Sequence, residues 1–387
     1  MANKKQPTIA SRIVIKQAPV VRRDISDWRN AKLDATRADN PRFVRLQELY
    51  DHIMVDAHLS SQILLRKAQT LSAEYAITSA DGKAHDQATD TIRNLPAFRD
   101  ILSLILDSQF FGYSLIELTP SADGSNPSVS PIDRRHIDPV HGILYPSQSD
   151  FTGIPYRQIR EFGRTVLEFY SGDLGILDKA VPHVLYKRFA QSCWSEFCEI
   201  CGMPPRYIKT NTQDQALRES YERMLSNVGS GANYVIDTDD EIGFADTNAT
   251  DGSIYSGLIN LCTDEISLLI NGAVLGQDTE FGSNSKEQTS ASLNLEIVHA
   301  DQAYIEQHVN ATVLPALAHL GIIPQGLLFK FSEQEDSAQL FDQAMRAAQY
   351  FDIDPAWIKE KFGIQVTGLR AMGAPQLSDQ PDLGFFA

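Results

Sequence analysis

The sequence lacks any apolar run approaching the roughly 20 residues that a membrane-spanning helix needs; its longest, such as Ile101 to Leu106, fall far short. No apolar segment near Met1 precedes a small-residue cleavage site, so a soluble intracellular protein with no membrane role is expected. A phosphate-binding glycine loop, a nucleophile elbow and a metalloprotease motif are also missing. Those absences argue against nucleotide hydrolysis, acyl transfer and zinc proteolysis. No catalytic residue and no cofactor is assigned, and the chain is not expected to be an enzyme. Basic residues are scarce: 34 Lys and Arg stand against 50 Asp and Glu, a formal net charge of −16. A protein that grips nucleic acid by neutralising phosphates needs the opposite balance.

Cysteine is sparse too, with Cys193, Cys198, Cys201 and Cys262. The first three form a C-x4-C-x2-C spacing like that of a plant-type iron-sulfur ligand set. Lys187 to Gly202 reads as a helix, however, with Trp194, Phe197 and Ile200 among the thiols and no Gly/Ser loop to hold a cluster. Cys193 and Cys198 then turn to different faces, and the thiols read as small buried hydrophobes. His299 and His308 lie on opposite faces of a later helix, so no metal site is expected.

What the chain does have is 43 % apolar residues spread over 387 positions, enough for two or three packed regions. Residues 1 to 40 are polar and carry Arg22, Arg23, Arg29 and Arg37; they read as an arm that orders on a neighbour or stays mobile. After Asn40-Pro41, Phe43, Leu46, Leu49, Tyr50, Ile53 and Met54 recur at helical spacing, and a second helix is expected from Ala57 to Leu71. Glu74 to Ser79 alternates as a strand and Asp81-Gly82 is a turn. Phe98, Ile101, Leu102, Ile105 and Leu106 form a clean helical stripe closed by Gly112. Strands follow at Ser114 to Thr119 and Thr165 to Tyr170, giving an α+β region.

The second half is different. A helix from Val184 to Cys201 ends at Gly202 and Met203-Pro204-Pro205. A small α/β insert follows: strands at Arg206 to Lys209, Ala232 to Ile236 and Glu241 to Ala245, and a helix from Thr212 to Asn227. The next helix, Gly252 to Val274, places Ile254, Leu258, Cys262, Ile266, Leu269 and Ala273 on one stripe. The polar, glycine-flanked stretch from Gly276 reads as a flexible loop. A long helix from Ser290 to Leu320 should kink at Pro315. Leu327 to Phe331 reads as a strand, and Ser337 to Phe362 as helix broken at Asp354-Pro355.

Four segments in order carry a family resemblance: Asp56-x-His58-Leu59-x-Ser61 with Arg66; Phe111-Gly112-Tyr113-Ser114-x-x-Glu117; Phe197-Cys198-Glu199-x-Cys201-Gly202-Met203-Pro204; and Leu275-Gly276-Gln277-Asp278-Thr279. In this the chain resembles the Mu-like branch of the tailed-phage portal protein family. Cys198 and Cys201 fall on unspecified positions of the third pattern, so the resemblance asks nothing of their thiols.

The resemblance implies an α+β portal fold. Its parts are an arm (1–40), a wing (41–181), a first stem helix (182–202), a clip (203–248) and a second stem helix (249–275). A tunnel loop (276–290), a kinked helix with its return to the wing (291–334) and a short crown-like region with a tail (335–387) complete it. It implies a non-enzymatic subunit of a dodecameric ring at the capsid vertex of a phage or prophage, assembled in the host cytoplasm. Double-stranded DNA would pass through the ring in packaging and ejection, and the terminase large subunit, head-tail connector, capsid and scaffold proteins would dock on it. The acidity is then compatible with a sleeve, since each strong phosphate contact would retard sliding duplex. Within that plan Lys286 is the lone base of the tunnel loop and is expected near a phosphate, with Gln277, Asn284 and Gln288 as neutral contacts. Asp264 and Glu265 are candidates either to face the channel and repel phosphate or to pair with a neighbour's Arg, and Asp237, Asp239, Asp240 and Glu241 form an acidic clip tip. The rival readings are a head-tail adaptor or minor capsid protein, and an iron-sulfur or other metal protein built on the cysteines.

Overall fold

Asp24 caps the first helix, α1 (Ile25–Ala35), by accepting the Asp27 N–H, the expected work of a short acidic side chain at that position. In the computed structural model the described residues are 24–120, 126–202, 206–209, 241–244, 252–274, 284–332, 337–348 and 353–364, with Ala216, Glu219 and Arg223 singly. α1 lies inside the segment expected to be an arm. It is a packed element: Ala31 and Ala35 are buried, while Trp28 Nε1 and Lys32 Nζ donate to Asp178 at 2.9 and 2.5 Å. Its polar sequence is compatible with order because small residues present the buried face.

Next come α2 (Val44–Ile53) and α3 (Ala57–Leu71), both where hydrophobic periodicity puts them. Asp56 caps α3 through the Leu59 N–H at 3.0 Å. Strand β1 (Tyr75–Ser79), α4 (Asp86–Arg93) and α5 (Pro96–Phe111) follow. Gly112 ends α5 at φ +92°, and a Cβ there would lie 2.8 Å from the Asp173 carbonyl oxygen, so only glycine fits. It hands the chain to β2 (Tyr113–Thr119), the centre of a three-stranded antiparallel sheet between β3 (Ser128–Pro131) and β7 (Val166–Tyr170). The short strands β4 (Ile137–Asp138), β5 (Ile143–Leu144) and β6 (Ile154–Pro155) make a second small sheet.

α6 (Ile176–Gly202) begins before the expected Val184 and runs through Pro182. Proline removes one ladder hydrogen bond, but Leu177, Ala180, Val181, Val184 and Leu185 are all buried along this turn. Apolar packing on both sides of the proline holds the helix together. Beyond it β8 (Arg206–Lys209) pairs antiparallel with β9 (Glu241–Phe244), Arg206 opposite Phe244 and Lys209 opposite Glu241. The expected strand at 232–236 lies outside the described residues.

α7 (Ser253–Asn271) follows. Its buried stripe runs through Cys262, Ile266 and Ile270, with Ala273 just beyond, whereas Ile254 and Leu258, expected on that stripe, are exposed. At 100° per residue the apolar residues of α7 occupy two faces, and spacing alone does not tell which is inward.

α8 (Asn284–His308) starts inside the stretch expected to be loop to residue 290. Lys286, Glu287 and Gln288 are good helix formers, and their polarity does not by itself dictate an irregular backbone. The kink expected at Pro315 is a π-helical turn, Val309–Val313, placed just before α9 (Leu314–His319), where Pro315 sits in the first turn. That turn aims Asn310 at β10 (Leu327–Phe331): Asn310 Oδ1 accepts the Phe329 N–H at 2.7 Å and Nδ2 donates to the Phe329 carbonyl at 2.9 Å. β10 then pairs antiparallel with β1, Tyr75 opposite Phe331. One hydrophobic core joins α2, α3, α5, β2, β7, the first half of α6 and the α8–α9 segment. Residues from Ser332 form a separate unit. It contains α10 (Ser337–Ala347) and α11 (Pro355–Phe362), capped by Asp354, with Phe362 against Phe341 and Trp357.

Candidate functional site

α6 and α7 pack against each other and carry the small module between them in sequence. Near the module Phe197 of α6 meets Tyr255 of α7, ring centroids 5.8 Å apart. Gly252, at φ +77°, starts α7 with the Trp194 indole so close that a Cβ would lie 3.2 Å from its Nε1.

The other end of the pair is held by a polar ladder on α3. His58, Gln62, Arg66 and Thr70 recur every fourth residue, which puts them on one helix face. His58 Nε2 is 2.8 Å from Ser267 Oγ, and the Asn271 amide donates to Gln62 Oε1 at 2.5 Å. Arg66 makes the central contact. Its Nε and Nη2 each donate to Asp301 of α8 at 2.7 Å, and its Nη1 donates to the Ile270 carbonyl at 2.6 Å. Thr70 Oγ1 adds a longer bond to Asp301 at 3.4 Å. Arg66 and Asp301 are 7 % and 1 % exposed, and a bidentate guanidinium–carboxylate pair suits such burial. One side chain from α3 therefore ties together the end of α7 and the body of α8. A Cβ on Gly272 would lie 2.7 Å from Ile297 Cδ1, so α7 and α8 also touch there.

A second tie holds α6. Lys187 Nζ lies 3.1 and 3.2 Å from the two Asp56 oxygens, both side chains buried, and Arg188 donates to the His52 carbonyl at 3.0 Å. The ladder escaped the sequence reading because apolar periodicity was the signal followed on α3. Arg66 was singled out only by its place in a motif. Polar residues at four-residue spacing beside the apolar pair Leu59 and Ile63 were the signal available.

The expected site residues that are described lie on three separate elements. Asp264 is half-buried and Glu265 exposed, both on α7. Asn284, Lys286 and Gln288 stand in the first two turns of α8 rather than in a loop. Glu241 opens β9, opposite Lys209. Gln277, Asp237, Asp239 and Asp240 lie outside the described residues.

Among the cysteines, Cys198 is exposed, Cys193 half-buried and Cys262 buried, and burial pushes the Cys262 thiol pKa up. Among the described residues no three His, Cys, Asp or Glu side chains converge on a point that would hold a metal, and no helix is long and apolar enough to cross a membrane.

Burial also sets the shifts of Asp51 and His308. It raises the pKa of Asp51, beside Arg135 and Asp133, and lowers that of His308, packed on Tyr304 and Phe169 at 4.4 and 5.6 Å between ring centroids. Neither sits with a nucleophile. Through α3 and Asp56 the arrangement holds the three long helices α6, α7 and α8 in fixed relation.

Comparison with known proteins agrees with that geometry. The family model described as the portal protein of Mu bacteriophage matches residues 47–364. The portal protein of Escherichia phage Mu is 22 % identical over 341 residues, which cover 80 % of this chain. This chain spans 65 % of that relative's length. Among solved structures, a chain from the neck of an empty gene transfer agent particle, computed with C6 symmetry, has a TM-score of 0.54 at 12 % identity, covering 81 % of this chain and 93 % of its own. A chain from the neck of the native particle, computed with C12 symmetry, gives 0.54 at 12 %, covering 88 % and 99 %. The two structures share the fold described above.

Proposed function

The chain belongs to the Mu bacteriophage portal protein family, and from that premise we propose that it is a portal subunit. It assembles with its own copies into a ring at the capsid vertex and forms the channel through which double-stranded DNA enters and leaves the particle. The observation that carries this reading is the family match spanning the paired helices α6 and α7, the module between them and the α8–α9 segment. In portal terms α6 and α7 are the stem, the module at 203–248 the clip, residues 275–283 with the first turns of α8 the tunnel segment, and α8–α9 the kinked helix that returns through β10 to the wing.

The work asked of such a subunit is mechanical. Terminase supplies the ATP chemistry and docks on the clip, connector proteins later take its place, and capsid and scaffold proteins surround the wing. The Arg66, Gln62 and Lys187 ties support this reading, because a channel wall must keep its helices in register while DNA moves past. Lys286, in the first turn of α8, is the basic residue nearest in sequence to residues 275–283 and the candidate for transient phosphate contact. Neutral Asn284 and Gln288 beside it would not trap the duplex.

Negative-stain microscopy and mass photometry of the purified protein, alone and with its capsid partners, test the proposal. Closed rings with a central channel are expected, twelvefold as in the native neck computed with C12 symmetry. Monomers or dimers under every condition would overturn it.

A further inference from the structure

Stem helix α7 is apolar on two faces, yet the described residues of one subunit cover only one of them. Its inward stripe, Cys262, Ile266 and Ile270, is buried. Ile254, Leu258, Leu261 and Leu268 are exposed, Ile254 by 65 % and Leu261 by 56 %. At 100° per residue these four fall within an arc of about 80°, and Glu265 lies inside the same arc. Asp264 and Glu265 are the only charged residues of α7. A helix apolar around most of its circumference belongs in an interior.

The arc continues onto α6. Leu258 lines a cleft of about 700 Å³ together with Ile25, Leu185, Tyr186, Phe189 and Arg188, and Tyr186 and Phe189 are 48 % and 56 % exposed. Clustered aromatic and leucine side chains with few charges are the composition of an interface core between permanent partners.

Resting on the portal reading above, we infer that the outer arc of α7, with the Tyr186–Phe189 shelf of α6, is the face that a second copy of this chain covers. Three observations favour a second copy over another occupant. A ring closed by head-to-tail contacts gives every subunit the same neighbour on the same side, so an apolar face can be built permanently into the fold. The arc lies on the two helices that form the stem. The solved chains sharing this fold come from necks computed with C6 and C12 symmetry. The assignment moves Glu265 away from the channel wall: it sits within the contact and pairs with a basic group of the neighbouring copy, while Asp264 stands at the arc's edge.

The test uses the full chain. Leu261→Glu and Leu268→Glu each place a charge in the arc, and Asn260→Glu places the same charge on an exposed position of α7 outside it. Mass photometry should show the first two raising the concentration for half-assembly by about tenfold or more, as truncating or charging an interface core does, with circular dichroism unchanged. Asn260→Glu should assemble as the parent does. Hydroxyl-radical footprinting of the unaltered protein gives a readout independent of the variants' folding: Tyr186, Phe189, Leu261 and Leu268 should be protected in rings and oxidised in dissociated subunits.

Normal rings from both leucine variants overturn the inference and leave the portal reading intact. Loss of rings by Asn260→Glu as well also overturns it, as does equal protection in the dissociated subunit, which would mean that the chain's own remaining residues cover the arc. A parent that forms no ring under any condition overturns the portal reading itself.

Discussion

Removing Asp301 should be among the most damaging single changes in the described part of the chain. Its carboxylate takes two of the three short hydrogen bonds of Arg66, and both side chains are almost wholly buried. In Asp301→Ala the guanidinium stays in place, tied to the Ile270 carbonyl and more loosely to Gln109 at 3.4 Å, but it has no counter-charge. Breaking a buried pair from one side costs about 3–5 kcal/mol. Taking a urea dependence of about 3 kcal/mol/M, the unfolding midpoint of dissociated subunits should fall by about 1–1.7 M, and by proportionately less if the dependence is steeper.

Replacing both partners with apolar residues, Arg66→Met with Asp301→Leu, should cost less than the single change. About 1 kcal/mol remains because the Ile270 carbonyl loses its donor. Urea unfolding followed by far-UV circular dichroism, with hydrogen exchange over 262–274 and 297–305, reads both effects. A midpoint shift below about 0.3 M for Asp301→Ala would mean that the pair behaves as a solvated surface bridge worth about 0–1 kcal/mol, and would refute the account of Arg66 as the tie between α7 and α8.

Three further outcomes are expected. Asp56→Ala should destabilise more than Asp56→Asn, because asparagine still caps the Leu59 N–H while alanine loses the cap, about 1 kcal/mol, and both leave Lys187 without its counter-charge; thermal melts of the two variants check the order. Gly175→Ala should prevent folding or cost at least about 3 kcal/mol, since a Cβ there would lie 2.3 Å from the Phe110 carbonyl oxygen, whereas Gly163→Ala, equally left-handed but with open space around it, should cost only about 1 kcal/mol; urea midpoints separate them. Burial lowers the His308 pKa below its ordinary 6.5, so the folded chain prefers the neutral ring: its contribution is complete above pH 6.5 and is lost as pH falls through the lowered value. Urea midpoints between pH 7 and 5 should therefore fall less steeply in His308→Phe than in the parent.

Much of the fold could be read from periodicity because local and tertiary preferences agree there. α3 begins and ends where Asp56 and the stripe through Leu59 and Ile63 say it should, and Gly112 and Asp354 mark their helix boundaries by backbone chemistry alone. Three places resisted for physical reasons. The helix expected from Val184 starts earlier, at Ile176, because buried residues on either side of Pro182 carry α6 through it. Polar Asn284 to Gln288 looked like loop because polarity reports solvent and not backbone. Ile254 and Leu258 were read as inward because an all-apolar helix has no sequence mark for its inner side. Of the site, motif order made the portal plan legible. The His58–Gln62–Arg66–Thr70 ladder stayed hidden because each rung is completed by a residue about 200 positions away.

The two kinds of seam on α7 divide the work of a ring subunit. The seam with α3 is polar and buried, and its hydrogen bonds are specific to one register. Sliding α3 by one turn would bring Gln62 to the place of Arg66, leaving Asp301 buried and unpaired at a cost of several kcal/mol. No intermediate position is satisfied, so α7 and α8 are held to α3 in a single setting. The outward face of α7 is apolar, and dispersion and burial between smooth side chains vary gradually with small displacements. A neighbour packed there can shift by a fraction of a turn without stranding a polar group. A subunit rigid within itself and forgiving at its edge can close a ring and still adjust when one side of it is loaded. The order of the Asp301 and Leu261 effects separates these roles: Asp301→Ala should weaken the isolated subunit, while Leu261→Glu should leave the isolated subunit folded and weaken only the ring.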